Sequence, residues 1–273
     1  MKAAYERDGY VFPLEAVTPQ RAAEYRAMFE SVEAANAGDA TISRILKGSP
    51  GIVLPFIGEI SRRPAVIEPV RTILGDDLLV IGANFFIKEP TTPAFVSWHQ
   101  DLTYWGYDDA LEVTAWVALS PATSHSGCMR FIPRSHRSEI VEHRDTFEES
   151  NLLSRGQMLT VEVDEADAVD VTLQPGEMSL HHGRLFHASH PNASADRRIG
   201  LAIRYVAPSM RQVNGLTPSA HLVAGEDRYG HFRLLEPPTG VLTPADIENA
   251  LQAISVQERI GYEGAADRGR RIT

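Results

Sequence analysis

The sequence has a single cysteine, Cys128, so no intrachain disulfide can form and the fold rests on its core. A lone thiol also suits a reducing compartment. Long apolar runs are missing. The longest, Leu78–Phe86 (LLVIGANFF), falls far short of the ~20 residues that a helix needs to cross a membrane. The opening residues, MKAAYERDGYVFP, put charges and a glycine where a signal peptide carries its apolar segment. These features lead us to expect a soluble cytoplasmic protein with no membrane partner. Positive charge is scarce too: 26 Lys and Arg face 36 Asp and Glu, for a formal net charge of -10. An acidic surface repels phosphate backbones, so no nucleic-acid partner is expected. No repeat and no low-complexity tract is visible.

What is present is ordinary globular sequence, with 43% hydrophobic and 23% charged residues among 273. That is enough for a sizeable core. The first third reads as helical. Thr18-Pro19 offers an N-cap and a first-turn proline ahead of a helix over Arg21–Ala35, and a second helix is expected over Ala65–Leu74, ending at Gly75. The texture then becomes β-rich. Strands are expected at Leu78–Lys88, Ala94–Gln100, Glu112–Ser120, Met129–Pro133, Leu159–Val163, Ala168–Leu173, Met178–His182, Leu185–Ser189 and Ile199–Val206. Many short strands separated by Gly, Pro, Asn and Asp point to a barrel or a double-sheet jelly roll. Thr243-Pro244-Ala245-Asp246 resembles a capping box that opens a last helix, with Ile247, Leu251 and Ile254 on one stripe. No linker divides the chain. The expectation is one domain over residues 1–273: a helical part over 1–77, a β core over about 78–210 and a C-terminal extension with a helix over 211–273. The oligomeric state stays open between monomer and homodimer.

The chemistry concentrates in two stretches. In VSWHQDLTY (Val96–Tyr104), His99 and Asp101 lie two apart, which in a strand puts both on one face. Imidazole plus carboxylate is an intermediate-hardness set suited to Fe(II), and a second histidine would complete a facial triad. The stretch Gly176–Tyr205 holds four histidines: His181, His182, His187 and His190. Alternation puts Leu185, His187 and Ser189 on one strand face. Spacing alone favours His187 over His182 without excluding the latter. An isolated His-x-Asp pair is usually incidental, so the distal histidines and the arginines that follow them carry the case.

Four segments, WHQD (Trp98–Asp101), LEVTAWVALS (Leu111–Ser120), GCMRFIPRSH (Gly127–His136) and HASHPNASADRR (His187–Arg198), resemble the phytanoyl-CoA dioxygenase family of Fe(II)- and 2-oxoglutarate-dependent oxygenases. ERDGYVFP (Glu6–Pro13) resembles that family's first strand, and the likeness runs from about Glu6 to about Phe232. The resemblance implies a mainly β fold with flanking helices, a double-stranded β-helix (jelly roll, cupin-like). It implies that His99, Asp101 and His187 bind the iron, and that O2 and 2-oxoglutarate are co-reactants. Family members carry a distal His-x-Ser with an Arg eleven positions after the His, here His187, Ser189 and Arg198. Arg198 would then hold the distal carboxylate of 2-oxoglutarate, with Ser189 assisting. The family spacing chooses Arg198 over the adjacent Arg197. Trp116 matches a family tryptophan near the cosubstrate, and Asn84 is a looser match to the same pocket.

The implied activity is hydroxylation of an unactivated C–H bond of a small molecule, with release of succinate and CO2. Desaturation, cyclisation or epimerisation at the same iron, and a non-catalytic jelly-roll binding module, are the rival readings. Related halogenases resemble the chain at GCMRFIP and IRY, but they replace the acidic ligand with Ala or Gly. Asp101 therefore argues for hydroxylation. Candidate substrate contacts are Leu102, Tyr104 and Trp105 as an aromatic wall, Lys88 on the face of Asn84 and Phe86, and Arg134 where the family usually has Gly. Each has a plain structural alternative: core packing for the aromatics, a snorkelling strand-end lysine, a solvated loop arginine. Arg204 shares Arg198's strand parity and either faces inward or pairs with a carboxylate. His125, His136, His143, His221 and His231 lack ligand spacing and are read as structural or surface residues. Cys128 is read as a small buried hydrophobe. VEVDEADAVD (Val161–Asp170) lacks the glycine and spacing of a calcium loop and is read as a solvated strand and turn.

Overall fold

The computed structural model describes residues 1–261. The expected C-terminal extension is therefore seen as far as Gly261, and its last twelve positions, 262–273, lie outside the described residues. The helices are α1 (Lys2–Asp8), α2 (Pro19–Ala35), α3 (Ala40–Gly48), α4 (Pro55–Arg62), α5 (Pro64–Leu74) and α6 (Pro244–Gly261). Four of them begin at a proline, where the missing N–H is no loss and φ is already helical. Asp39 caps α3, its carboxylate accepting from Thr41 N at 2.8 Å and Ile42 N at 3.0 Å. The capping box before α6 is real: Thr243 Oγ1 donates to Asp246 Oδ2 at 2.6 Å and accepts from Asp246 N at 3.3 Å.

The strands are β1 (Tyr10–Glu15), β2 (Leu78–Lys88), β3 (Val96–His99), β4 (Glu112–Ala118), β5 (Met129–Phe131), β6 (His143–Asp145), β7 (Gln157–Leu159), β8 (Val169–Val171), β9 (Glu177–His181), β10 (His187–Ser189), β11 (Arg198–Val206), β12 (Ser219–Ala224) and β13 (Arg233–Leu234). One sheet has the order β1-β9-β4-β11-β2-β12-β13, a second β3-β10-β5-β8, and β6 pairs β7. β1 with β9, β4 with β9, β2 with β12, β3 with β10, β5 with β10, β5 with β8 and β6 with β7 pair antiparallel, and β12 pairs β13 in parallel. This is the expected jelly-roll class with helices outside. Most expected strands appear at their places. The strand read over Leu159–Val163 ends instead at Leu159, because Asp164 caps a short 3-10 turn and pulls the acidic stretch out of the ladder.

The backbone groups into two compact units, each assembled from separate stretches of chain. One comprises Met1–Ala23, Phe86–Thr103 and Thr114–Leu201. In it Tyr10 pairs His181 across β1 and β9, and Trp116 pairs Ser179 across β4 and β9. Strand β4 is buried at every position, as expected of a central strand covered on both faces. Its Trp116 needs room that only glycine leaves: a Cβ at Gly200 on β11 would lie 1.8 Å from the Trp116 ring. The other unit comprises Glu24–Phe85, Tyr104–Val113 and the chain from Ala202 onward. Its core stacks Tyr25 on Phe56 and sets Phe29 against Phe85 at 4.1 Å between ring centres. Strand β12 runs along β2, with Leu222 opposite Leu79, over a cluster of Leu79, Val206, Met210, Ala220 and Phe232.

Two tests follow from this packing. Gly200→Ala would force the buried indole to shift, an overpacking cost of about 1–3 kcal/mol. At about 2–4 °C per kcal/mol, thermal unfolding followed by circular dichroism should show a loss of several degrees. Trp116→Phe in the same background should recover part of it. Acid should also weaken the fold. Burial holds the His143 and His182 imidazoles down at about 4, against an ordinary value of about 6.5. Between those values the unfolded chain binds more protons than the native one, so stability falls as pH drops from about 6.5 to about 4. A denaturant midpoint that stays flat across that window would contradict the burial of these rings.

Candidate metal centre

The register of β3 against β10 sets His99 directly opposite His187. Their rings stand 4.0 Å apart between centres. The sequence reading placed Asp101 in the same strand. In fact β3 stops at His99, and Asp101 opens a 3-10 turn over Asp101–Tyr104. The turn is held by Gln100, which is fully buried. Its amide donates to Arg184 O at 2.9 Å and accepts from Val141 N at 2.9 Å, while its backbone N–H donates to His143 Nε2 at 3.0 Å. The turn swings the carboxylate back to the two rings: Asp101 Oδ1 lies 3.3 Å from His99 Nε2 and 3.8 Å from His187 Nε2. One ligand atom from each of the three residues falls within 4.8 Å of the others.

Both imidazoles are aimed before any metal arrives. His99 Nδ1 meets Ser97 O, and His187 Nδ1 meets Leu185 O, each at 2.9 Å. A carbonyl only accepts, so Nδ1 carries the proton and Nε2 keeps its lone pair for a ligand. Burial holds the His187 pKa well below the usual imidazole range, so the ring is neutral. Two nitrogens and one oxygen donor suit ferrous iron. The other histidines are elsewhere. His181 packs at a tilt against Phe131 and its ring centre is 5.1 Å from that of His187, but it supplies no atom to the ligand cluster. His182 packs between Tyr5 and His136, and His190 Nε2 meets Arg130 at 2.9 Å.

A cationic pocket lies in the same unit. Arg198 is 2% exposed, and among the described residues no carboxylate pairs with it and its Nε finds no acceptor. Its guanidinium sits 5.4 Å from the centre of the Trp116 ring. Burial pushes the Arg198 pKa down to about 10, which still leaves the group charged at neutral pH. A buried, unpaired charge costs several kcal/mol, so this arrangement calls for an anion. Lys88 is wholly buried as well. Its amino group donates to Ser189 Oγ at 2.6 Å and to His190 O, and burial followed by the Arg198 charge lowers its pKa to about 6, so it is largely neutral at pH 7. The hydroxyls of Thr114 and Ser179, strand neighbours of His181 and Trp116, are buried without a partner among the described residues. Sequence reading missed both, although their i, i+2 spacing to Trp116 and His181 would have placed them on one face. A dicarboxylate cosubstrate suits the chemistry of this set, a forked guanidinium and buried hydroxyls in the unit that also holds the three metal-ligand candidates.

The remaining candidates fall in different places. Leu102 is buried and its backbone N–H donates to Gly183 O at 3.1 Å, which fixes the turn. Tyr104 and Trp105 follow it. The Trp105 carbonyl accepts from Gln212 Nε2 at 2.6 Å and its ring lies under Arg204. The Asn84 amide donates to Lys47 O at 2.8 Å and Gly48 O at 2.9 Å, and its Oδ1 accepts from Arg204. Arg134 is two-thirds exposed, 3.9 Å from Asp8, with a φ of 70°. That left-handed backbone explains why a glycine is usual there.

The sequence matches the family model for phytanoyl-CoA dioxygenase over residues 5–200. A probable alpha-ketoglutarate-dependent hypophosphite dioxygenase of Stutzerimonas stutzeri is 28% identical over 161 residues, which cover 58% of this chain and 56% of that protein. The chain thus spans little more than half the length of that curated relative. Among solved structures, the non-heme monooxygenase ThoJ in its apo form superposes with a TM-score of 0.87 at 30% identity, covering 96% of this chain and 97% of that one. CytC3, solved with Fe(II) and alpha-ketoglutarate, shares the fold with a TM-score of 0.62 at 23% identity, covering 85% of this chain and 90% of that one. With the triad and the cationic pocket in place, the chain belongs to the phytanoyl-CoA dioxygenase family, whose cofactor set is Fe(II), 2-oxoglutarate and O2.

Proposed function

We propose that this chain is an Fe(II)- and 2-oxoglutarate-dependent dioxygenase that hydroxylates an unactivated C–H bond of a small molecule, forming succinate and CO2. The observation that carries the reading is Arg198, a buried guanidinium without a counter-ion in the unit that also brings His99, Asp101 and His187 together. His99, Asp101 and His187 would hold the metal. Arg198 would take the distal carboxylate of 2-oxoglutarate in a two-point hydrogen bond, resting on the Trp116 face. The sequence assigned Lys88 to the substrate. Its hydrogen bond to Ser189 Oγ favours a place beside Arg198 on the same carboxylate. Bound iron would supply oxygen activation coupled to oxidation of the keto acid. The protein's part is position, charge and exclusion of water around the keto acid. Asp101 in the acidic ligand position favours hydroxylation over halogenation. The relative named for hypophosphite dioxygenation fits a small-molecule substrate.

Thermal unfolding with Mn(II) as a redox-silent stand-in tests the site directly. Mn(II) with 2-oxoglutarate at about a hundredfold over its Kd should add about 2.7 kcal/mol, several degrees for a chain of this size. Neither Mn(II) nor 2-oxoglutarate alone should match it, and a non-catalytic module would show no shift. Arg198→Lys keeps the charge but loses the fork, and should raise the 2-oxoglutarate requirement ten-fold or more while leaving the Mn(II)-only shift intact. Asp101→Ala should abolish substrate-dependent succinate release and hydroxylation. Full retention of both would remove Asp101 from the metal.

A further inference from the structure

We propose that His143 is the positioning residue for Asp101, and that it sets from behind how tightly the triad grips its metal. This rests on the oxygenase reading above and adds to that site a side chain that binds no metal itself.

The sequence gives His143 no ligand spacing. The structure gives it the same mounting as the two imidazoles of the triad. His99 and His187 each donate from Nδ1 to the carbonyl two residues back, and so does His143, to Val141 O at 2.8 Å. The tautomer is thereby fixed, with the lone pair on Nε2. In the triad that lone pair is kept for a metal. In His143 it accepts the backbone N–H of Gln100 at 3.0 Å. Burial keeps the ring neutral, so Nε2 stays an acceptor. Gln100 stands between His99 and Asp101, and on the far side of Asp101 the Thr103 Oγ1 lies 3.3 Å from His143 Nδ1. One ring therefore touches the turn both before and after the carboxylate.

The hairpin that carries His143 is pinned along the segment that leads to the turn. Strands β6 and β7 pair with His143 opposite Leu159 and Asp145 opposite Gln157. Arg155 Nη2 closes on Asp145 Oδ1 at 2.9 Å, with both side chains mostly buried. Three anchors then join the hairpin to β3 and its flanks. The Phe95 N–H donates to Ser150 O and the Phe95 carbonyl accepts from Leu152 N, both at 2.9 Å. Ser97 Oγ donates to Gln157 O and accepts from Asn151 Nδ2 at 2.8 Å. Gln100 Oε1 accepts from Val141 N at 2.9 Å. A hairpin held at Phe95, Ser97 and Gln100 has little freedom to slide, and every residue named here lies in one compact unit with the triad.

His99 and His187 are placed by a strand ladder, but Asp101 opens a 3-10 turn and has no ladder to hold it. Its distance from the two rings is set by whatever fixes the turn. Without the Nε2 acceptor the Gln100 N–H loses its partner, and a buried peptide group does not stay unsatisfied if the chain can relax. Relaxation at Gln100 moves the residue next to it, which is the carboxylate. Residues that orient a ligand without touching the metal carry about 10- to 100-fold in metal affinity.

The test is the Kd of the whole protein for Mn(II) at saturating 2-oxoglutarate, read from the electron paramagnetic resonance signal of free Mn(II). His143→Leu should raise that Kd about ten-fold or more. His143→Gln puts an amide oxygen near the position of Nε2 and should recover most of the loss. Ile57→Val, in the core of the other unit, lowers the melting temperature without touching the turn and should leave the Kd at its wild-type value. Asp101→Ala and the double variant Asp101→Ala/His143→Leu should bind Mn(II) equally weakly, because the effect of His143 runs through the carboxylate. Wild-type affinity in His143→Leu, equal losses in the Leu and Gln variants, or further loss in the double variant would overturn the assignment. A wild type that binds no Mn(II) would instead overturn the oxygenase reading beneath it.

Discussion

A buried guanidinium at the first position of a strand, with no carboxylate among the described residues to neutralise it, is the constraint around which the β-rich unit is arranged. Taking Arg198 out of water costs several kcal/mol that cation–π contact with Trp116 offsets only in part. The fold tolerates this because β4 and the neighbouring strands bury enough apolar surface to carry it. The same unit holds polar groups that a keto acid would satisfy: Ser189 with Lys88, and the hydroxyls of Thr114 and Ser179, buried without a partner among the described residues. Gly200 belongs to the same arrangement, since the indole under the guanidinium lies where any Cβ would be.

The metal ligands obey a different logic. Each histidine is oriented by the carbonyl two residues before it, and the two are cross-strand partners. The carboxylate reaches them only because Gln100 stops β3 and starts a turn, with His143 and two backbone groups holding Gln100 in place. His143 shows that a histidine without ligand spacing still has a task here: its ring accepts the Gln100 N–H and is kept neutral by burial.

Much of this was legible in the chain. Alternation in β10 and the His-x-Asp pair marked three side chains before any coordinates, and family likeness selected His187 from its neighbours. Proline and Thr-x-x-Asp signals located α2 and α6 to within a few residues. The turn at Asp101 was not legible, because what ends β3 is a glutamine whose partners lie about 40 and 84 residues away. Lys88 and Arg204 were seen as inward candidates, yet their partners, Ser189 and Asn84, sit more than 100 positions distant. Local pattern reports which way a side chain faces on its strand; it does not report which charge, if any, it meets there. Arg134 is the reverse case, where a departure from family sequence became intelligible once its φ of 70° was known.

The strapping of each imidazole to its own strand has an evolutionary reading. A ring aimed by the carbonyl two positions back carries its instructions within three residues of chain. Loops bordering the cavity can then drift, lengthen or change chemistry without disturbing how iron is gripped. A lineage built this way is free to trade one substrate for another while its oxidising power stays constant, and diversity of reactants becomes the expected outcome of so local a device.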